Sequence, residues 1–211
     1  MHMSESKSQQ PRLGVAPDEV TGVVLAGGRG SRMGGTDKGL IELAGRPLIE
    51  HVLEALEPQV GSILINANRN PARYARYGHP VVGDAMKGFQ GPLAGFAAGM
   101  AAARTPWVLT VPCDSPRVPP DLLARLAQAL GTQAAQMAVA RDGDRLQPVY
   151  ALLPVTLSVS LDRFLAAGGR KTDKWFAQHR YATADFSDCG EVFANLNTPE
   201  DRRGLARAHR G

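Results

Sequence analysis

The residues best suited to chemistry gather between Leu25 and Gly39, where six of fifteen positions are glycine. Glycine tolerates left-handed backbone and lets a ligand approach without meeting a Cβ. Exposed amides in such a loop can cradle phosphate oxygens. Arg29, Arg32 and Lys38 add positive charge, and Lys38 suits an α- or β-phosphate as a point charge. Two familiar phosphate loops do not fit. A dinucleotide fingerprint needs glycine where Met33 stands. A Walker loop needs glycine before Lys38 and a hydroxyl residue after it, but Asp37 and Gly39 are there.

Four later segments carry further polar groups at strand ends. Asp114 lies in Pro112-Cys113-Asp114-Ser115-Pro116, beyond a strand and facing the glycine loop. A carboxylate there suits Mg²⁺, which takes one or two carboxylates plus phosphate oxygens and water; an aspartate between prolines also serves as a plain turn residue. Cys113 is a poor nucleophile candidate, because no histidine lies near it in sequence and small buried cysteines are common. Asn66 and Asn68 can offer donor and acceptor to a base or ribose, or simply close an Asx turn. Asp84 can accept the paired N1–H and N2–H of guanine, a donor pair that adenine, cytosine and uracil lack, or can cap a turn. Gly91-Pro92-Leu93-Ala94-Gly95 opens a helix whose first amides are free for a ligand; ordinary helix-start chemistry has the same spacing.

These residues need elements to hold them. Val20–Leu25 is a continuous apolar run and reads as a buried strand. Pro47 opens a helix through Leu56, with Leu48, Val52, Leu53 and Leu56 on one face. Strands are expected at Ser62–Ala67, Val81–Val82 and Trp107–Val111. Leu93–Ala103 is a small-residue helix with Pro92 in its first turn. Pro120–Leu130 is a helix ended by Gly131. Gln136–Arg141 and Leu146–Leu152 form a hairpin turned at Asp142-Gly143. Val155–Ala167 is helical and Tyr181–Asp185 a strand. A last helix starts at Thr198 as N-cap with Pro199 at N1. Alternating strands and helices predict an α/β three-layer sandwich, Rossmann-like, with a mixed, mainly parallel sheet. In such sheets ligands sit beyond the carboxyl ends of the strands, which is where the polar segments fall.

Bulk properties narrow the class. The chain has 211 residues with 44% hydrophobic content, enough for one domain with a sizeable core. Residues 1–19 read as a disordered tail and 20–211 as the domain. No apolar run approaches the ~20 residues of a membrane helix, and the start lacks an apolar secretory segment. Two cysteines make neither a disulfide framework nor a zinc site, so a reducing cytoplasm is the expected location. The net charge of +4 is modest. No aromatics interleave with a basic stripe, which argues against nucleic acid as a partner, as the apolar runs argue against a membrane.

The run Leu-Ala-Gly-Gly at 25–28, Arg32-Met33-Gly34-Gly35 and Asp37-Lys38-Gly39 resembles the signature loop of the molybdenum cofactor guanylyltransferases. The resemblance continues through Asn66, Asp84, the Gly91–Gly95 segment, the Pro112–Pro116 segment, Gln147-Pro148-Val149 and Asn195–Glu200, covering about Thr21 to Arg203. It implies a nucleotidyltransferase that moves GMP from GTP to the molybdopterin form of the molybdenum cofactor. It implies that Leu25, Ala26, Gly27, Gly28 and Lys38 hold GTP, with Asn66, Asp84, Gly91, Pro92 and Leu93 around the nucleoside. Asp114 would bind both GTP and Mg²⁺, and Arg32, Lys38 and Asp114 would act in the transfer. Gln147, Asn195 and Asn197 would face the pterin, and Asn195 or Asn197 could assist the metal. Arg170, Lys171 and Lys174 read either as a pterin-phosphate site or as a solvated face. The resemblance also implies transient contacts with the enzyme that supplies the cofactor and with molybdoenzyme chaperones.

Three rivals are weaker. A cytidylyltransferase for the same pterin carries Leu-Ala-Ala-Gly in place of the Gly27-Gly28 pair and lacks the Gly91–Gly95 segment. Sugar-phosphate nucleotidyltransferases have longer loops and longer chains. A GTP-binding adaptor that only delivers cofactor would have no need to keep Asp114.

Overall fold

A computed structural model describes residues 14–26, 37–85, 91–189 and 192–193. Its centre is a seven-stranded sheet in the order β5-β4-β1-β6-β8-β7-β9. The strands are β1 (Val20–Leu25), β4 (Ser62–Asn66), β5 (Val81–Val82), β6 (Trp107–Pro112), β7 (Met137–Asp142), β8 (Arg145–Pro154) and β9 (Tyr181–Asp185). A separate two-residue ladder joins β2 (Glu42–Leu43) to β3 (Arg46–Pro47). Within the main sheet β8 alone runs against its neighbours β6 and β7; the other pairings are parallel. The chain steps from β1 to β4 and β5 on one side, then crosses to β6 on the other. The strand order therefore reverses beside β1, the kind of crevice in which α/β sheets bind ligands.

Helices cover both faces. One core joins Val20 and Val24 of β1 to α1 (Leu48–Leu56) through Ile49, Val52 and Leu56, and to α4 (Leu122–Thr132) through Leu122 and Leu126. The opposite core joins Val23 to Leu93, Phe96 and Met100 of α3 (Pro92–Ala102), Leu161 and Leu165 of α5 (Ser158–Ala166), and Trp175 and Phe176 of α6 (Thr172–Phe176). Burial on both faces explains the unbroken apolar run of β1. The small residues of α3 let it lie close to the sheet: a Cβ at Gly99 would come within 2.8 Å of Val23 Cγ2. Beyond β9, Arg125 of α4 ties down the turn Ser187–Cys189. Its Nη1 donates to Asp188 Oδ1 at 2.7 Å and its guanidinium lies 4.8 Å from the Phe186 ring centre. That hydrogen bond holds the Asp188 carboxyl well below its ordinary range.

The predicted three-layer, mainly parallel sandwich is the fold observed. Several local expectations differ. Helix α4 does not stop at Gly131 but runs to Thr132, and the left-handed residue that ends it is Ala134, with φ of 46°. Ala135 N–H then reaches back to Leu130 O at 3.2 Å, the geometry of a helix C-cap. The hairpin loop is Gly143-Asp144, one residue later than expected, because Asp142 still pairs with Arg145; Gly143 supplies the positive φ of 55°. Pro47 precedes α1 and ends the small β3 ladder instead of sitting inside the helix. Val155–Leu157 is a 3-10 turn ahead of α5. Pro17–Glu19, placed in the tail by sequence, forms a 3-10 turn whose Pro17 O accepts the Gly61 N–H at 2.6 Å. Two short helices, α2 (Pro71–Tyr74) and α6, carry no sequence signal strong enough to predict them. The helix expected from Thr198 lies outside the described residues. Among the described residues no helix is long and apolar enough to cross a membrane.

Candidate active site

The parallel strands end level with one another. Ala26 N–H donates to Asn66 O at 2.8 Å, Cys113 N–H to Leu25 O at 3.1 Å, and Ala67 N–H to Val82 O at 2.9 Å. These bonds carry the ladders one residue past the strand ends and so fix the positions of Asn66, Asp84 and Asp114. Because β8 is antiparallel, its early residues reach the same edge; Ala151 pairs with Thr110 of β6, so Gln147 and Val149 lie beyond it toward the strand ends. Thr110 Oγ1 donates to Val149 O at 2.7 Å and secures that register.

The chain brings two predicted residues together across 76 positions: Lys38 Nζ lies 2.9 Å from Asp114 Oδ2. Both side chains keep a window to solvent, 28% and 17% exposed, so each is accessible to a ligand. Lys38 opens a 3-10 turn, Lys38–Leu40. The residues beside it are held from below. Asp37 accepts hydrogen bonds from Tyr74 Oη and from Asn70 Nδ2, the latter at 3.0 Å. Cys113, just before Asp114, is buried, and that burial together with the Asp114 and Asp37 charges pushes its thiol up. A thiol kept protonated is no nucleophile, in keeping with the sequence reading.

A second group surrounds Asn66. Its Nδ2 donates to Asp84 Oδ1 at 2.9 Å and to Val82 O at 3.3 Å. Asn68 Nδ2 donates to Asp84 Oδ2 at 2.7 Å, and Asp84 N–H returns a bond to Asn68 Oδ1 at 2.7 Å. Asp84 is thus tied through both oxygens, and the structure gives Asn68 the role of its partner. Helix α3 closes over this group. A Cβ at Gly95 would lie 2.6 Å from Asn66 Oδ1 and 2.6 Å from Leu25 Cδ2. Gly91 sits at φ 78° and starts the helix, a conformation that glycine adopts without strain. Leu93 is fully buried in the core beneath α3, so only its main chain is available to a ligand. Arg170 caps α5 through Leu165 O at 2.8 Å and Gly169 O at 2.6 Å, while Lys171 and Lys174 are exposed. Gly27, Gly28, Arg32, Asn195 and Asn197 lie outside the described residues.

Asp114 fits a magnesium ion by its donor chemistry. It is a hard, partly exposed carboxylate that already faces one cation, the Lys38 ammonium. Among the described residues no three His, Cys, Asp or Glu side chains gather into an all-protein cage. Asp114 could hold magnesium together with phosphate oxygens and water.

The chain is similar to known proteins along most of its length. Residues 22–184 match the MobA-like NTP transferase domain family. The molybdenum cofactor guanylyltransferase of Shewanella sp. (strain MR-4) is 50% identical over 188 residues, 89% of this chain and 95% of that protein. The one from Cupriavidus taiwanensis is 51% identical over 194 residues, 90% of this chain and 97% of that protein. The chain belongs to the molybdenum cofactor guanylyltransferase family. Its fold also matches the crystal structure of molybdopterin-guanine dinucleotide biosynthesis protein A from Archaeoglobus fulgidus. That match has a TM-score of 0.74 at 24% identity and covers 90% of this chain and 98% of that one. As a molybdenum cofactor guanylyltransferase the chain is a nucleotidyltransferase, and the cytidylyltransferase and sugar-phosphate readings fall away.

Proposed function

We propose that the carboxyl edge of β1, β4, β5 and β6 binds GTP and transfers its GMP to the terminal phosphate of the molybdenum cofactor. The observation that carries this reading is the Lys38–Asp114 pair, 2.9 Å apart and open to solvent at the strand-order reversal. It sets a cation and an anion side by side where a phosphate and a metal ion would each need one.

A phosphate oxygen of the cofactor attacks the α-phosphorus of GTP. One P–O bond forms, the bond to the bridging oxygen of the β-phosphate breaks, and pyrophosphate leaves. A phosphate monoester is already anionic at neutral pH, so no strong general base is needed. The site must instead hold two anions together, and positioning with charge neutralisation carries the rate. Lys38, with Arg32 and the amides of Gly27 and Gly28, neutralises the triphosphate. Asp114 would hold magnesium, which supplies charge neutralisation on the phosphate oxygens when bound. Asn66 and Asp84 fix the nucleoside, aided by the main chain at Gly91, Pro92 and Leu93. Gln147, Asn195 and Asn197 face the pterin.

Pyrophosphate release in the presence of molybdenum cofactor and Mg²⁺ tests this. GTP should support turnover and neither CTP nor ATP should. Asp114→Ala should keep the fold by circular dichroism and lose at least about a hundredfold in rate, the scale on which one preorganised electrostatic contact acts. Near-normal turnover of that variant removes Asp114 from the mechanism. GTP binding without pyrophosphate release would contradict the roles given to this edge in the transfer.

A further inference from the structure

We infer that Tyr74 is a positioning residue for guanylyl transfer, holding Lys38 in place through Asp37 from beneath the site. The inference rests on the reading of Lys38 as a triphosphate-binding residue. Tyr74 is completely buried, yet it lies on α2, a four-residue helix, and contributes no substrate-facing group. Its hydroxyl donates to Asp37 Oδ1. On the other side of Lys38, a Cβ at Gly39 would stand 2.6 Å from the same Tyr74 Oη and 3.3 Å from both Cβ and Sγ of Cys113. The neighbours of Lys38 on both sides thus meet one phenol, and Gly39 also lies against Cys113, the residue that precedes Asp114.

The physical logic is one of rotational freedom. A lysine has four side-chain torsions and keeps a useful position only if its backbone is fixed. Three contacts fix it here: the Tyr74 hydroxyl on Asp37, the Asn70 amide on the other Asp37 oxygen at 3.0 Å, and the Leu40 N–H on Asp37 O at 3.1 Å. Asp37 therefore works as an anchor for the turn. Burial, reinforced by the neighbouring Cys113 and Asp37 groups, holds the phenol above its ordinary range, so it remains a neutral donor. The absence of a side chain at Gly39 is what lets the phenol pass this close.

The test is a set of variants read by calorimetric GTP binding with Mg²⁺ present and by thermal melting. Tyr74→Phe keeps the ring and loses only the hydroxyl. It should weaken GTP about tenfold, the effect of losing a hydrogen bond to a charged group. Asn70→Gly cuts the anchor from the solvent side, tolerates the left-handed backbone of Asn70 and does not touch the core; it should weaken GTP about threefold. In a Lys38→Met background, Tyr74→Phe should change GTP affinity by less than about twofold, because the two act through one contact. A purely structural Tyr74 would lower the melting temperature and give additive effects. Three results decide. Loss in Tyr74→Phe that vanishes in the Lys38→Met background supports the inference. Unchanged GTP affinity in Tyr74→Phe and Asn70→Gly, or full additivity with Lys38→Met, overturns it. Unchanged affinity in Lys38→Met itself overturns the underlying reading of the site.

Discussion

Lys38 and Asp114 neutralise each other in the free protein, at a Nζ–Oδ2 distance of 2.9 Å. Their ligands pull them apart in opposite ways: a phosphate wants the ammonium, a divalent cation wants the carboxylate. Each ligand bound alone would strand a partly buried charge, and together they satisfy both. Lys38→Met should therefore weaken GTP by at least about tenfold, the cost of one charge-assisted contact. The same change should tighten Mg²⁺ in the absence of nucleotide, because a repelling cation has gone from beside Asp114. Mn²⁺ titration followed by electron paramagnetic resonance measures the second effect; looser metal binding in the variant would contradict the pairing. At this scale the two charged residues are legible from their motifs. The partners of Asp84 are not, because no spacing rule says that both its oxygens accept from Asn66 and Asn68. Tyr74 is invisible for a similar reason: its helix is a single turn, too short for any periodicity.

Elements are legible where burial is one-sided or complete, and less so where a glycine invites a default. Val20–Leu25 and Tyr181–Asp185 can be read to the residue because strand burial leaves a run or an alternation in the sequence. Gly131 reads as a helix stop, yet it sits inside α4 with nothing within 4 Å of where its Cβ would be. The stop falls at Ala134, where a C-cap hydrogen bond from the next residue offsets the cost of a left-handed φ of 46° in a residue other than glycine. Gly131 thus brings only its unfolded-state entropy. Gly131→Ala should stabilise the protein by about 0.5–1 kcal/mol and raise the melting temperature by about 1–4 °C. A lowered melting temperature would show that the helix does not continue through that position.

At the scale of the molecule, the sheet order decides what can meet. The reversal beside β1 sets the residues after β1 and β6 side by side, and β8, the one antiparallel strand of the main sheet among the described residues, brings Gln147 toward the same edge. Alternation of strands and helices in the sequence predicts the layers, but not the order in which the strands lie, since order depends on contacts between distant segments. The central claim is that the triphosphate is held on the Lys38 side of this edge with a divalent ion on Asp114. A crystal structure with a non-hydrolysable GTP analogue and Mn²⁺, located by its anomalous signal, tests it directly. The metal should lie about 2.0–2.3 Å from an Asp114 oxygen, with Lys38 released to a phosphate. Metal and nucleotide bound away from this edge, with the Lys38–Asp114 pair intact, would contradict it.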